Sequence, residues 1–75
     1  MRAYVLINAS PGKAIDIARR IQGQPGIAAA DAITGEYDVV AVCEAPDVNA
    51  MGQLIVERIQ KTEGVFKTIT NLVVT

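Results

Sequence analysis

Five consecutive residues of this 75-residue chain, Thr34-Gly35-Glu36-Tyr37-Asp38, bring together the groups best suited to hold a small molecule. Glycine lets backbone N–H groups approach an anion closely, because no Cβ intervenes. A carboxylate such as Asp38 accepts charge-assisted hydrogen bonds from a cationic group such as an ammonium. Tyr37 offers an aromatic wall and a hydroxyl. Gly at the first central position also marks a type II′ turn, so Gly35-Glu36 reads as a two-residue hairpin loop. The plainer alternative makes Gly35 only a turn residue, Tyr37 a packed strand residue and Asp38 a cap or a solvated carboxylate. Spacing alone leaves both readings open.

Little else in the chain carries chemistry. Histidine is absent, which removes the commonest general base, and with one cysteine no zinc site or internal disulfide can form. Cys43, among Val40, Ala41 and Val42, reads as a small core side chain. Ser10-Pro11-Gly12-Lys13 has a lysine after glycine but not the longer spacing of a phosphate-binding loop. Arg20 and Arg58 read as solvated or in surface ion pairs more than as an anion site, Glu36 as a solvated turn residue, and Asn8 as a strand terminus more than as a cleft-lining residue. No catalytic residue, metal or cofactor is expected.

Positioning the five-residue stretch falls to a small domain. The net charge is −1, with both signs scattered, so no basic stripe is available for nucleic acid and no basic amphipathic segment for a membrane surface. No apolar run approaches the roughly 20 residues that span a bilayer. No signal peptide precedes the first strand-like run, which makes the cytoplasm the expected location. Yet 51% of the residues are apolar, more than one small core accounts for, which points to a second buried surface through self-association.

Residues 3–9 read as a strand rich in β-formers. Ser10 then reads as an N-cap and Pro11 as the first residue of a helix whose buried face is Ala14, Ile17, Ala18 and Ile21. Gly23 and Pro25-Gly26 end it. Residues 27–34 form an Ala-rich second strand with the look of a sheet edge, and residues 37–44 a third. Asp47 caps a second helix with a buried face of Val48, Met51, Leu54, Ile55 and Ile59. Gly64 closes it before a long final strand, 65–74. A shift of 38 positions superposes Ile17 on Ile55, Arg20 on Arg58, Ile21 on Ile59, Gln22 on Gln60, Gly26 on Gly64 and Ile27 on Val65. Two βαβ halves therefore make a βαββαβ chain.

Right-handed crossovers then give an α+β, ferredoxin-like fold: a four-stranded antiparallel sheet in the order 4-1-3-2 with both helices on one face. The central strands are apolar on both faces, Tyr4 and Leu6 against Val5 and Ile7, and Val40 and Val42 against Val39, Ala41 and Cys43. Helices cover one face only, so the other is expected to pack against a second copy.

Pro25-Gly26-Ile27, Thr34-Gly35-Glu36-Tyr37-Asp38-Val39-Val40 and Gly64-Val65 before a Thr-rich strand together resemble the ligand-sensing (RAM) domain of the Lrp/AsnC transcription regulators. The resemblance covers residues 2–74, and its most specific element is the Gly-x-Tyr-Asp hairpin. Those regulators carry a DNA-binding helix-turn-helix that residues 1–75 lack, so the chain is similar to stand-alone versions of the module and no direct contact with nucleic acid is carried over. The resemblance implies a non-catalytic module of transcription regulation. It also implies a homodimer built by sheet packing, assembly into octamer-like rings, and an amino-acid effector in clefts between dimers. Carried over residue by residue, the effector site falls on Thr34, Gly35, Tyr37 and Asp38, with Asp31, Thr68 and Thr70 as further members. Joining full-length Lrp/AsnC regulators is a further possible partnership. Two alternatives share the element order: a dimeric α/β-barrel enzyme (a small monooxygenase or isomerase), and an ACT-like amino-acid-binding regulatory domain.

Overall fold

The computed structural model describes residues 1–75 and contains the expected order of elements. They are β1 (Arg2–Ala9), α1 (Ala14–Ile21), β2 (Ile27–Ala32), β3 (Val39–Glu44), α2 (Val48–Leu54) continuing as a π-helix (Ile55–Gln60), and β4 (Val65–Leu72). The sheet order is β2-β3-β1-β4, the 4-1-3-2 order read in reverse, and every pairing is antiparallel.

Alternation along the strands sorts the two faces. Ala3, Val5 and Ile7 of β1 and Val39, Ala41 and Cys43 of β3 are fully buried with Ile17, Ile21 and Ile59 of the helices. All 14 buried residues are apolar and form one core. Burial pushes the Cys43 thiol up to about 11, so it stays protonated and unreactive at neutral pH, as suits a core side chain. On the opposite face Tyr4, Leu6, Val40, Val42 and Ile69 lie side by side by register, exposed or half-buried. No element of the chain covers them.

Four local expectations are corrected. Helix α1 begins at Ala14, not at Pro11, and Ser10 does not cap it. Pro11 and Gly12 are instead the centre of a tight turn, closed by the Lys13 N–H donating to Ser10 O at 3.0 Å, with Gly12 at φ +78°. Pro followed by a positive-φ Gly is the pattern of a type II turn, and that backbone cannot continue into a helix. The first strand-to-strand connection is longer than two residues: β2 ends at Ala32 and β3 begins at Val39. Val48 points outward and is exposed, and Leu54 is only half-buried. Strand β4 ends at Leu72 rather than Val74.

The π-helix was not foreseen. Its mark is the Lys61 N–H donating to Val56 O, five residues back, at 3.2 Å. Met51, Ile55 and Ile59 are all buried at a spacing of four, whereas an α-helix turns every 3.6 residues. Widening the last turns keeps this line of side chains on the core.

Candidate functional site

The connection between β2 and β3 is tied to the end of β1 by its backbone and two side chains. The Ile33 N–H donates to Asp38 O at 2.9 Å, which closes a six-residue loop in place of the two-residue hairpin. The Asp38 N–H donates to Ile7 O at 2.9 Å. Its carboxylate accepts the Ala9 N–H at 2.7 Å, and Asn8 Nδ2 donates to Glu36 O at 3.0 Å. These bonds hold the loop as an ordered corner despite its exposure.

Within the corner Gly35 has φ +114°, and a Cβ placed there would meet nothing within 4 Å. The backbone conformation, not crowding, is what calls for glycine, and the residue is exposed. Thr34 and Glu36 are exposed, while Tyr37 and Asp38 are half-buried. Asp38 has one carboxylate oxygen in the Ala9 bond and also borders a cleft of about 210 Å³ with Ala9, Ser10, Pro11, Gly12, Ala14 and Ile15. That cleft is the gap left where α1 starts late. Asp38 thus serves structure and borders open space at once.

The other expected members do not gather there. Asp31 is exposed on β2, opposite Val40, and so belongs to the uncovered sheet face beside the loop. Thr68 and Thr70 lie on β4, at the far edge, paired with Ile7 and Val5 and therefore on the helix side of the sheet. Thr68 Oγ1 accepts from Gln60 Nε2 at 3.0 Å. Thr70 lines a groove of about 390 Å³ between α2 and β4, with Met51, Gly52, Ile55, Val56 and Leu72. Asn8, which the sequence marks as a strand terminus more than as a cleft-lining residue, is part of the corner through its bond to Glu36 O. The interior between sheet and helices holds no buried polar or charged side chain.

The sheet order and its two helices make this a ferredoxin-like module with a Gly35-x-Tyr37-Asp38 corner at one end. Residues 2–75 match the Lrp/AsnC ligand binding domain over essentially the whole chain, and the protein belongs to that family. Among curated relatives, a homocitrate synthase of Sulfurisphaera tokodaii is 39% identical over 57 residues, 76% of this chain but 12% of that enzyme. An uncharacterised HTH-type transcriptional regulator of Pyrococcus furiosus is 27% identical over 71 residues, 91% of this chain. The chain spans 47% of that regulator, about half its length. Among solved structures, a Thermus thermophilus protein, TTHA0845, superposes with a TM-score of 0.88 at 30% identity, covering 96% of this chain and 90% of that one. A Neisseria meningitidis transcriptional regulator solved as a complex with L-Met has the same fold (TM-score 0.85, 20% identity, 99% of this chain and 49% of that one). No helix is long and apolar enough to cross a membrane.

Proposed function

We propose that this chain is a non-catalytic sensing module that binds an amino acid at the β2–β3 corner and passes the signal on through its assembly. The observation that carries the reading is the corner itself, an exposed positive-φ Gly35 beside an Asp38 already fixed to β1 by a 2.7 Å bond. Asp38 offers its carboxylate to the ligand ammonium, the N–H groups around Gly35 take the carboxylate, and Thr34 and Tyr37 border the side chain. Asp31 stands on the adjoining sheet face. Thr68 and Thr70 sit at the opposite edge of the same sheet, so they reach this corner only from another copy of the chain.

Open on one side, the corner is completed by a second dimer, and the dimer is built by packing the uncovered faces around Leu6, Val40 and Ile69. A face this apolar is costly to leave in water, at roughly 25 cal/mol per Å². The L-Met complex of the Neisseria regulator supports an amino acid as the effector class. Assembly of dimers into a ring gives the effector a lever, since binding between dimers shifts the association equilibrium.

Calorimetric titration with the common amino acids tests the site. At least one is expected to bind, with affinity lost in Asp38→Ala and weakened in Tyr37→Ala. Absence of heat for every amino acid, or unchanged binding in both variants, refutes it.

The 39% identity to a stretch of an enzyme favours a second reading of what the module signals to. Here the sensing chain acts on a biosynthetic acyl-condensing enzyme rather than on a DNA-binding regulator. Co-sedimentation with the homocitrate-forming enzyme and with a full-length Lrp/AsnC regulator from the same cells separates the two; association with the regulator alone ends this second reading.

A further inference from the structure

The strands place four charged residues on the uncovered face of the sheet. Arg2 and Glu44, opposite each other on β1 and β3, form their own ion pair at 3.6 Å. Asp31 on β2 and Lys67 on β4 stand on the two outer strands and have no ion-pair partner within the chain. One row across this face runs Asp31, Val40, Leu6, Ile69. The next row, at the end of the sheet that carries the β2–β3 corner, includes Asn8 and Lys67. Ile33 begins that row: its N–H donates to Asp38 O, so the β2–β3 ladder runs one pair past the strand ends, and the alternation that sends Asp31 to this face sends Ile33 there too.

Val65 and Lys67 pair with Ala9 and Asn8, which makes Phe66 the extra residue of a bulge and sets it beside Lys67 on the same face. Ile33 is 38% and Phe66 80% exposed. The corner row therefore ends in an uncovered apolar side chain on each outer strand, and each of the two stands next to an unpaired charge. The same bulge in β2 is made with Ala28 and Ala29, the 38-shifted equivalents of Phe66 and Lys67, so the bulge itself requires neither an aromatic nor a charge.

A two-fold axis can stack two such faces in two ways. An axis across the strands sets β2 over the second copy's β2, and Asp31 and Lys67 then meet no opposite charge. An axis along the strands sets β2 over β4. Ile33 then lies over the partner's Phe66, and Asp31 lies one row from the partner's Lys67, an offset of roughly 7 Å along the strand. A lysine stem spans that offset. Charge complementarity selects this second arrangement.

We propose that the amino-acid corner is completed on its inner side by the dimer partner, whose Phe66 packs on Ile33 and whose Lys67 pairs with Asp31. This contact, which rests on the sensing reading above and its sheet-face dimer, makes Phe66 and Lys67 positioning residues for the corner. Ile33 is where the loop leaves the sheet, and its N–H holds Asp38 O at 2.9 Å. A ring seated on Ile33 steadies the backbone from which Asp38 presents its carboxylate. Effector binding and closure of the dimer face then strengthen each other, as linkage requires. The outer side of the corner stays free for the second dimer.

Charge exchange tests the contact without any ligand. By sedimentation equilibrium at low salt, Asp31→Lys and Lys67→Asp are each expected to weaken dimerisation by about tenfold or more, and the double exchange to restore it. Single reversals without effect, or a loss that the double exchange does not recover, overturn the proposal. Calorimetry above the dimer dissociation constant tests the coupling, with the amino acid that binds the original chain best. Phe66→Ala is expected to lower its affinity by about fivefold or more, and Phe66→Leu to recover most of it, with unchanged circular dichroism. Undiminished affinity in Phe66→Ala dimers overturns the proposal and leaves the corner reading intact. If no amino acid binds the original chain, the sensing reading falls, and the charge exchange alone upholds or overturns the contact across the dimer.

Discussion

The two halves of the chain solve the same exit from helix to strand with different side chains. In the first, Gln24 Nε2 donates to Arg20 O at 2.8 Å; in the second, Thr62 Oγ1 donates to Arg58 O at 2.9 Å, and both donor and acceptor are 38-shifted equivalents. The Ile27 N–H donates to Gln24 O and the Val65 N–H to Thr62 O, again equivalents. Gly26 and Gly64 have φ of +84° and +96°, and each nestles against the helix of the other half, Gly26 on Leu54 and Gly64 on Lys13 and Ile17. Sequence similarity at the exits therefore reflects a pseudo-two-fold fold in which each half braces the other.

The helix starts differ, and the differences create the two open features of the molecule. Pro11-Gly12 forms a turn in the first half, so α1 begins late and leaves the cleft beside Asp38. The equivalents Asn49-Ala50 are helical, capped by Asp47 Oδ1 accepting the Ala50 N–H at 2.7 Å. Helix α2 thus gains a turn that carries Val48 out to the rim of the other groove. One half offers a polar corner, the other an apolar seat.

The comparison is most severely tested at its shared core. Ile21 and Ile59 are equivalent, and both are fully buried. Truncation of either to Ala is expected to cost about 2–5 kcal/mol by chemical denaturation. Equal losses support two matched packing sites despite the π-helix under one of them. A cost for Ile59→Ala below about 1 kcal/mol would show that the widened helix leaves its residue loosely held.

How much of this was readable in the sequence follows the same division. Apolar period and glycine exits are repeated signals, and they sufficed for element order, sheet order and the uncovered face. The late start of α1 was missed because Ser10-Pro11 is equally good as a cap with proline behind it and as the first half of a type II turn; Gly12 decides between them, and its φ of +78° is a tertiary outcome. The π-helix was hidden because Met51, Ile55 and Ile59 satisfy an α-helical template over short windows and drift from it only over two turns. At the corner, Gly35 and Asp38 were visible as residue types. The Ala9 and Asn8 bonds that hold them span 28 or more positions of chain and follow only from the β1–β3 pairing. Thr68 and Thr70 were grouped with the corner by resemblance, and the alternation of β4 sends them to the helix side.

A smaller effect separates the two helix starts. Asp47 closes the first turn of α2, while Lys13 at the matching boundary of α1 makes no side-chain bond to the helix. Asp47→Ala is expected to lower stability by about 1 kcal/mol, the usual worth of an N-cap. Lys13→Ala should have no measurable cost through capping, and Lys13→Asp should gain a few tenths of a kcal/mol or more, because a carboxylate there can take a free N–H and favours the positive end of the helix dipole. The same substitution removes a stem that packs on Gly64, whose Cβ position lies 3.1 Å from Lys13 Cβ. Thermal melts of the three variants order these contributions. If Lys13→Asp destabilises, the lysine stem matters more to the exit of the second half than the missing cap matters to the first, and the two halves are coupled most strongly where their sequences differ.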